Sequence, residues 1–442
     1  MPFCKRNVKT IAVFLHLFAL SFEQASLHFP ADETVALPKG KEPDMTTTLP
    51  ELKTVLCGLM GALLMIAGAK PLAAVETAEE SRAALVSERP AVEVMFVLDT
   101  TGSMGGLIAA AKEKIWSIAN TLATAEPAPR IRMGLVGYRD RGDRYVTVFT
   151  PLSDDLDAVY THLMQYRAEG GGDGPESVNQ ALYEAVTRPE WSCDTRTYRV
   201  VFLVGDAPPH MDYQDDVQYK ESCRLATEQD IVVNTIQCGN MSGTTPVWRR
   251  IAQLAEGAYF QVAQSGSAVL YETPYDDRIA ALSAKLDATR IYYGDTQQRA
   301  AVEARKREAE AIYDVAAPSA VAKRTIFNAS KAGVKNFLGS QELVADVESG
   351  RVEIATVAIE KLPEKLQAMS PAERKAYVAE RAADRRVLQQ KIAALGHQRQ
   401  AFIEAKVKAE GNGGKSLDAQ IYRCIKTQAA AKAIHYTDGP AY

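Results

Sequence analysis

Val92-Glu93-Val94-Met95-Phe96-Val97-Leu98-Asp99-Thr100-Thr101-Gly102-Ser103-Met104-Gly105-Gly106 is the stretch whose reading decides the fold. Its first half is a nearly unbroken apolar run rich in β-branched and bulky residues, the pattern of a strand buried on both faces in a parallel sheet. The run ends in oxygen: Asp99, Thr101 and Ser103 put a carboxylate and two hydroxyls at alternate positions of a glycine-containing turn. From Met104 the period becomes helical, with Leu107, Ile108, Ala111, Ile115, Ile118 and Leu122 at three- and four-residue spacing. Strand, oxygen-bearing loop and helix start in succession place those oxygens at the carboxyl end of a sheet, where open α/β folds bind ligands.

Working outward, the same alternation recurs. Strands are predicted at 130–138, 145–149, 198–205, 231–237 and 258–262, with helices at 155–165, from 178, at 217–229 and at 247–255. Ser153 or Asp154 is the expected cap of the second helix. This order predicts a doubly wound, mostly parallel α/β sheet. Two further loops at the same edge carry only oxygen: Asp173 and Glu176 in Gly170-Gly171-Gly172-Asp173-Gly174-Pro175-Glu176-Ser177, and Asp206 after Phe202-Leu203-Val204-Gly205. Hard divalent ions take about six oxygen ligands, so this donor set suits Mg²⁺, with Ca²⁺ or Mn²⁺ as alternatives, and no neighbouring Cys or His favours zinc. Taken alone, Asp99 and Ser103 also read as helix caps; their conjunction with Glu176 and Asp206 favours metal.

Asp99-Thr100-Thr101-Gly102-Ser103 resembles the D-x-[ST]-x-S motif of von Willebrand factor A (VWA) domains, and Asp206 matches the final aspartate of that family. The resemblance spans about residues 91–270. It implies a Rossmann-like fold and a metal-ion-dependent adhesion site (MIDAS), with one coordination position left for an acidic side chain of a partner. Asp173-Gly174-Pro175-Glu176 departs from the commonest pattern and is similar to the loop of integrin β I-like domains and of VWA modules beside alpha-kinases. By that resemblance Glu176 replaces a threonine on the metal, while Asp173 and Asp140 are candidates for an adjacent second cation. The implied ligand set is Asp99, Thr101, Ser103, Glu176 and Asp206.

The 442 residues carry a formal net charge of −4, so no basic field points to nucleic acid. Six cysteines without a C-x-x-C pair make neither a zinc motif nor a disulfide-dense scaffold. A Cys193–Cys223 disulfide and free buried thiols are both compatible with their spacing. At the N-terminus, apolar runs at 11–22 and 54–69 each follow basic residues and fall short of the roughly 20 residues that span a bilayer. Residues 1–78 are therefore read as an export signal or N-terminal extension, with Met45 as an alternative start, and 79–90 as a linker. The expected location is periplasmic or secreted, the alternative being an uncleaved membrane anchor.

Residues 91–272 form the expected VWA domain and 273–442 a helical C-terminal region. There, Ser370-Pro371-Ala372-Glu373 opens a helix to about Glu410, and after Gly411-Asn412-Gly413-Gly414 a last helix begins at Ser416, giving an αα-hairpin. Leu388, Leu395 and Phe402, with Ile392 between, recur as a short heptad seam; the favoured reading is a structural stalk packing on itself, the alternative an oligomerisation or docking arm. The segments 324–338 and 343–357 have no assignable pattern. His210 reads as an exposed loop residue, Arg141-Gly142-Asp143 as turn composition, and Tyr138, Tyr213 and Tyr219 as either rim or packing. No nucleophile motif or phosphate-binding Gly-Lys loop is present, so the expectation is a non-enzymatic, metal-dependent binding protein receiving an Asp or Glu carboxylate. Its alternatives are a scaffold or metal-delivery subunit of an enzyme and a structural envelope protein with a relic site.

Overall fold

The apolar run at 92–98 forms β1 (Ala91–Asp99), and every residue of it is buried. In the computed structural model the described residues are 89–172, 174–264, 271–410, 417–436 and 439–440. The two N-terminal apolar runs, Met45, Cys4, Cys57, Asp173 and the Gly411–Gly414 break lie outside them. β2 (Arg130–Tyr138), β3 (Thr147–Ser153), β4 (Tyr198–Gly205), β5 (Ile231–Cys238) and β6 (Tyr259–Val262) join β1 in a six-stranded sheet of order β3-β2-β1-β4-β5-β6. Every pairing is parallel except β2 with β3. β3 starts later than its sequence suggests and runs through Pro151, which its edge position tolerates because no outer ladder needs that N–H.

Helices cover both faces. On one side α1 (Gly105–Ala123) and α2 (Leu156–Gln165) pack on Val94, Phe96, Leu135 and Phe202. On the other, α3 (Val178–Thr187), α4 (Tyr219–Glu228) and α5 (Thr244–Leu254) cover Met95, Val97, Val201 and Leu203. The cap of α2 is Asp155, not Ser153 or Asp154: its carboxylate accepts from Ala158 N, while Ser153 Oγ accepts from Asp155 N one turn earlier.

The C-terminal region comprises α6 (Asp276–Asp287), α7 (Thr296–Val315), α8 (Pro318–Ala329), α9 (Val334–Leu338), α10 (Leu343–Glu348), α11 (Glu364–Gln367), α12 (Pro371–Glu410) and α13 (Leu417–Ala430). The heptad residues are consumed within the chain. Ile392 is buried with Ile279, Leu286, Ala322 and Phe337, and Leu388 and Leu395 pack against that cluster. The helices expected to form an αα-hairpin bury their apolar stripes against different partners. α12 packs on α6, α8 and α10, whereas Ile421, Ile425 and Ala429 of α13 enter the sheet core beside Val204 and Ile236. Gln428 secures α13 there, accepting from the Tyr198 hydroxyl at 2.6 Å and exchanging hydrogen bonds with Asn234. Phe327 of α8 and Ile312 of α7 join the same core, so the helical region completes one face of the sheet. Cys223 is a free buried thiol, and the Cys193–Cys223 disulfide is therefore not formed.

Candidate functional site

The carboxyl ends of β1, β4 and β6 and the loop before α3 converge at one edge. Asp99 closes β1 and is fully buried; its Oδ1 accepts from Thr101 N at 2.9 Å and Thr101 Oγ1 at 2.6 Å, while Oδ2 has no partner. Those bonds fold the turn that presents Ser103 Oγ 3.4 Å from Thr101 Oγ1. Asp99 is thus a turn former, and no side chain caps α1, whose start follows a 3-10 turn at Gly102–Met104.

Backbone bonds tie the loops together. Gly102 N donates to Gly170 O and Glu169 N to Thr100 O, joining the first loop to the second. Glu176 N donates to Pro208 O at 2.9 Å and His210 N to Glu176 O at 3.0 Å, joining the second to the third. Asp206 is placed by Thr244 Oγ1, which donates to its carbonyl at 2.7 Å. Residue 205 must be glycine for this edge to close, because a Cβ there would lie 2.3 Å from the Tyr138 hydroxyl and 3.0 Å from Asp99 Oδ2.

The electrostatics of the edge are those of like charges brought together. Burial, then the neighbouring Asp206, pushes the Asp99 carboxyl up to about 7 against the lowering effect of its Thr101 hydrogen bonds. Burial, followed by Asp99, Asp140, Asp143 and Asp206, pushes Glu176 up to about 9. Glu176 Oε2, like Asp99 Oδ2, is buried without a partner. These orphaned oxygens fit the donor set of a hard cation, with Thr101, Ser103 and Asp206 beside them. Among the described residues, no three acidic, His or Cys groups lie close enough to form a coordination shell by themselves. A cation here would draw on hydroxyls and water as well.

Asp140 has a different environment. Its Oδ1 accepts from Ser177 Oγ at 2.9 Å, the Tyr213 hydroxyl reaches both oxygens, and His210 Nε2 lies 3.3 Å from Oδ2. His210 is buried, not exposed: its ring stacks on Tyr213 at 4.1 Å and its Nδ1 meets Asp212 at 2.8 Å. Tyr138 and Tyr219 are buried as well and form no rim. The Arg141-Gly142-Asp143 tripeptide is spent internally. Arg141 pairs with Asp215 and Asp216 over the Tyr213 ring, and Asp143 Oδ2 accepts from Gly171 N. Sequence reasoning missed Asp143 and Gln264, whose Nε2 donates to Asp206 Oδ2 at 2.6 Å. Nothing in the sequence pattern around Gln264, just past the short β6, singles it out.

A mostly parallel, doubly wound sheet flanked by helices, with oxygen-bearing loops at its carboxyl edge, defines the class: a Rossmann-like α/β domain. The family model for the von Willebrand factor A domain matches residues 93–274, so the chain carries a VWA domain over that stretch. Its relatives include human von Willebrand factor A domain-containing protein 7, 34% identical over 125 residues, which are 28% of this chain and 13% of that protein. A putative ariadne-like RING finger protein of Acanthamoeba polyphaga mimivirus is 27% identical over 119 residues, or 27% and 11% of the two chains. The match thus spans only a small part of each relative. Among solved structures, the SpRpn10 VWA domain is similar over 40% of this chain and 90% of its own, at 11% identity and TM-score 0.32. Proximal thread matrix protein 1 from the mussel byssus, solved with a zinc occupied MIDAS motif, is similar over 40% and 42%, at 15% identity and TM-score 0.32.

Proposed function

We propose that this chain is an exported binding protein that holds one divalent cation on Asp99, Thr101, Ser103, Glu176 and Asp206 and engages a protein partner through an Asp or Glu of that partner. The observation that carries the reading is the pair of buried, partnerless carboxylate oxygens on Asp99 and Glu176. Leaving buried polar atoms unsatisfied costs about 1–3 kcal/mol each, more for charged groups, and such arrangements concentrate where ligands bind. The cation supplies positive charge and a coordination position for the partner's carboxylate. The chain's own groups do the rest: Asp99 folds the first loop, Glu176 locks the second to the third by its backbone, and Asp206 extends from β4. An all-oxygen set favours Mg²⁺, with Ca²⁺ or Mn²⁺ as alternatives. Binding is favoured over hydrolysis because His210, the imidazole beside these loops, turns its ring nitrogens to Asp140 and Asp212. Export rests on the apolar N-terminal runs.

Calorimetric titration of the full chain with Mg²⁺, Ca²⁺ and Mn²⁺ tests the site. One ion per chain should bind, and Asp99→Ala, Glu176→Ala and Asp206→Ala should each lose it. Equal binding by wild type and all three variants would defeat the assignment. With the ion in place, a short acidic peptide should be retained by wild type and released by chelator.

A further inference from the structure

Two residues past β6, Gln264 turns its side chain back over the loop edge. Its Nε2 donates to Asp206 Oδ2 at 2.6 Å and to Ser103 O at 3.4 Å, and lies 3.8 Å from Met104 Sδ. One amide group therefore bridges the first and third oxygen-bearing loops, although β6 belongs to neither. The slot for its Oε1 exists because residue 239 lacks a side chain: a Cβ there would fall 2.2 Å from that oxygen. Gly239 also sits at φ +70°, and its N–H bonds Val262 O at 2.9 Å while its carbonyl accepts from Gln261 Nε2 at 2.7 Å. The ends of β5 and β6 are thus clamped in the arrangement that aims Gln264 at Asp206.

We infer that Gln264 is a positioning residue for the cation site, holding the Asp206 carboxylate at a fixed distance from the Ser103 turn. This rests on the metal reading above. The physical reason lies in the contrast among the carboxylates. Asp99 Oδ2 and Glu176 Oε2 are partnerless, whereas the Asp206 oxygen is held by a neutral donor that orients it without cancelling its charge. Groups that orient a metal-ligating carboxylate in this way typically contribute about 10–100-fold in metal affinity.

The test is calorimetric titration of Mn²⁺ and Mg²⁺ into full-length wild type, Gln264→Ala and Gln264→Met. Methionine keeps the length and bulk of glutamine but cannot donate, which separates the hydrogen bond from packing. Both variants should bind the ion about 10–100-fold more weakly. Their unfolding midpoints in chelator should stay close to that of wild type, since Gln264 is exposed. A wild type that binds no ion would overturn the metal reading itself. A wild type that binds, with both variants equal to it, would overturn only the role of Gln264. Tighter binding by the variants would also overturn it, marking the amide as a competitor for Asp206.

Discussion

Arg324 and Asp99 are both fully buried, and what surrounds them differs. Arg324 of α8 forms a two-pronged pair with Asp157 of α2 at 2.6 and 2.7 Å, with Asp287 at 3.6 Å and the Tyr313 hydroxyl at 3.2 Å. The theme recurs along α12: Arg385 is bidentate to Glu342, and Arg399 meets Asp276 at 2.7 Å. Asp99, Glu176 and Asp206 instead act on one another: after burial, the groups that raise the Asp99 and Glu176 carboxyls are neighbouring carboxylates. Compensated charge belongs to the architecture of a fold; uncompensated like charge persists where something else supplies the balance. On the function proposed above, the helical region carries compensated charge as architecture and the loop edge keeps its like charges for a ligand.

The largest effect is expected from breaking the compensated end. Arg324→Met should cost about 3–5 kcal/mol in urea unfolding, because Asp157 and Asp287 would remain buried without their counter-charge. A loss below about 1 kcal/mol would remove the contrast with Asp99. Next is α13, whose apolar stripe completes the sheet core: Ile425→Ala should cost about 2–5 kcal/mol by the same measurement. A near-neutral result would mean that α13 is an appendage.

At the loop edge the sign changes. Asp99→Asn, measured in chelator, should unfold no earlier than wild type, since it removes one of several clustered carboxylates. It should also lose the ion-dependent gain, which for wild type is about 2.7 kcal/mol at a hundredfold excess of ion over its dissociation constant. The smallest effect belongs to the outward face of α12: Val387→Lys, at an exposed position, should change stability by no more than about 0.5 kcal/mol. If it also dissociates an oligomer in sedimentation, the long helix has an intermolecular role in addition to its packing on α6 and α8.

Much of the loop edge was legible because the chemistry sits at the ends of long apolar runs. The runs at 92–98 and 198–205 became β1 and β4, and Asp99 and Asp206 lie where those runs stop. The start of α12 was equally clear, since Ser370 and Glu373 form the expected reciprocal cap. Gln264 was not legible, because a lone glutamine after a four-residue strand carries no pattern. The burial of His210 was hidden for a related reason: Tyr213 and Asp140, which enclose it, come from different loops. The destination of α13 was ambiguous in principle, since an apolar stripe at helical spacing reads the same whether it meets a hairpin partner or a sheet. Only the contacts of Ile421, Ile425 and Gln428 distinguish the two.

The central claim is that the loop-edge carboxylates are held for a cation, and stability against pH tests it most directly. Asp99 and Glu176 have folded-state values of about 7 and about 9, above their ordinary 3.8 and 4.5, so the folded state binds more protons than the unfolded state. Their contribution is complete below the ordinary values and is lost as pH rises through the folded ones, at up to about 1.4 kcal/mol per pH unit for each group. Urea unfolding of the full chain in chelator should therefore show stability falling between about pH 5 and about pH 9. Saturating divalent ion should abolish that fall in wild type, whereas in Asp99→Ala it should leave unchanged the smaller fall that Glu176 still contributes. A curve in chelator that does not fall over this range, or a fall that the ion does not change, would contradict the account.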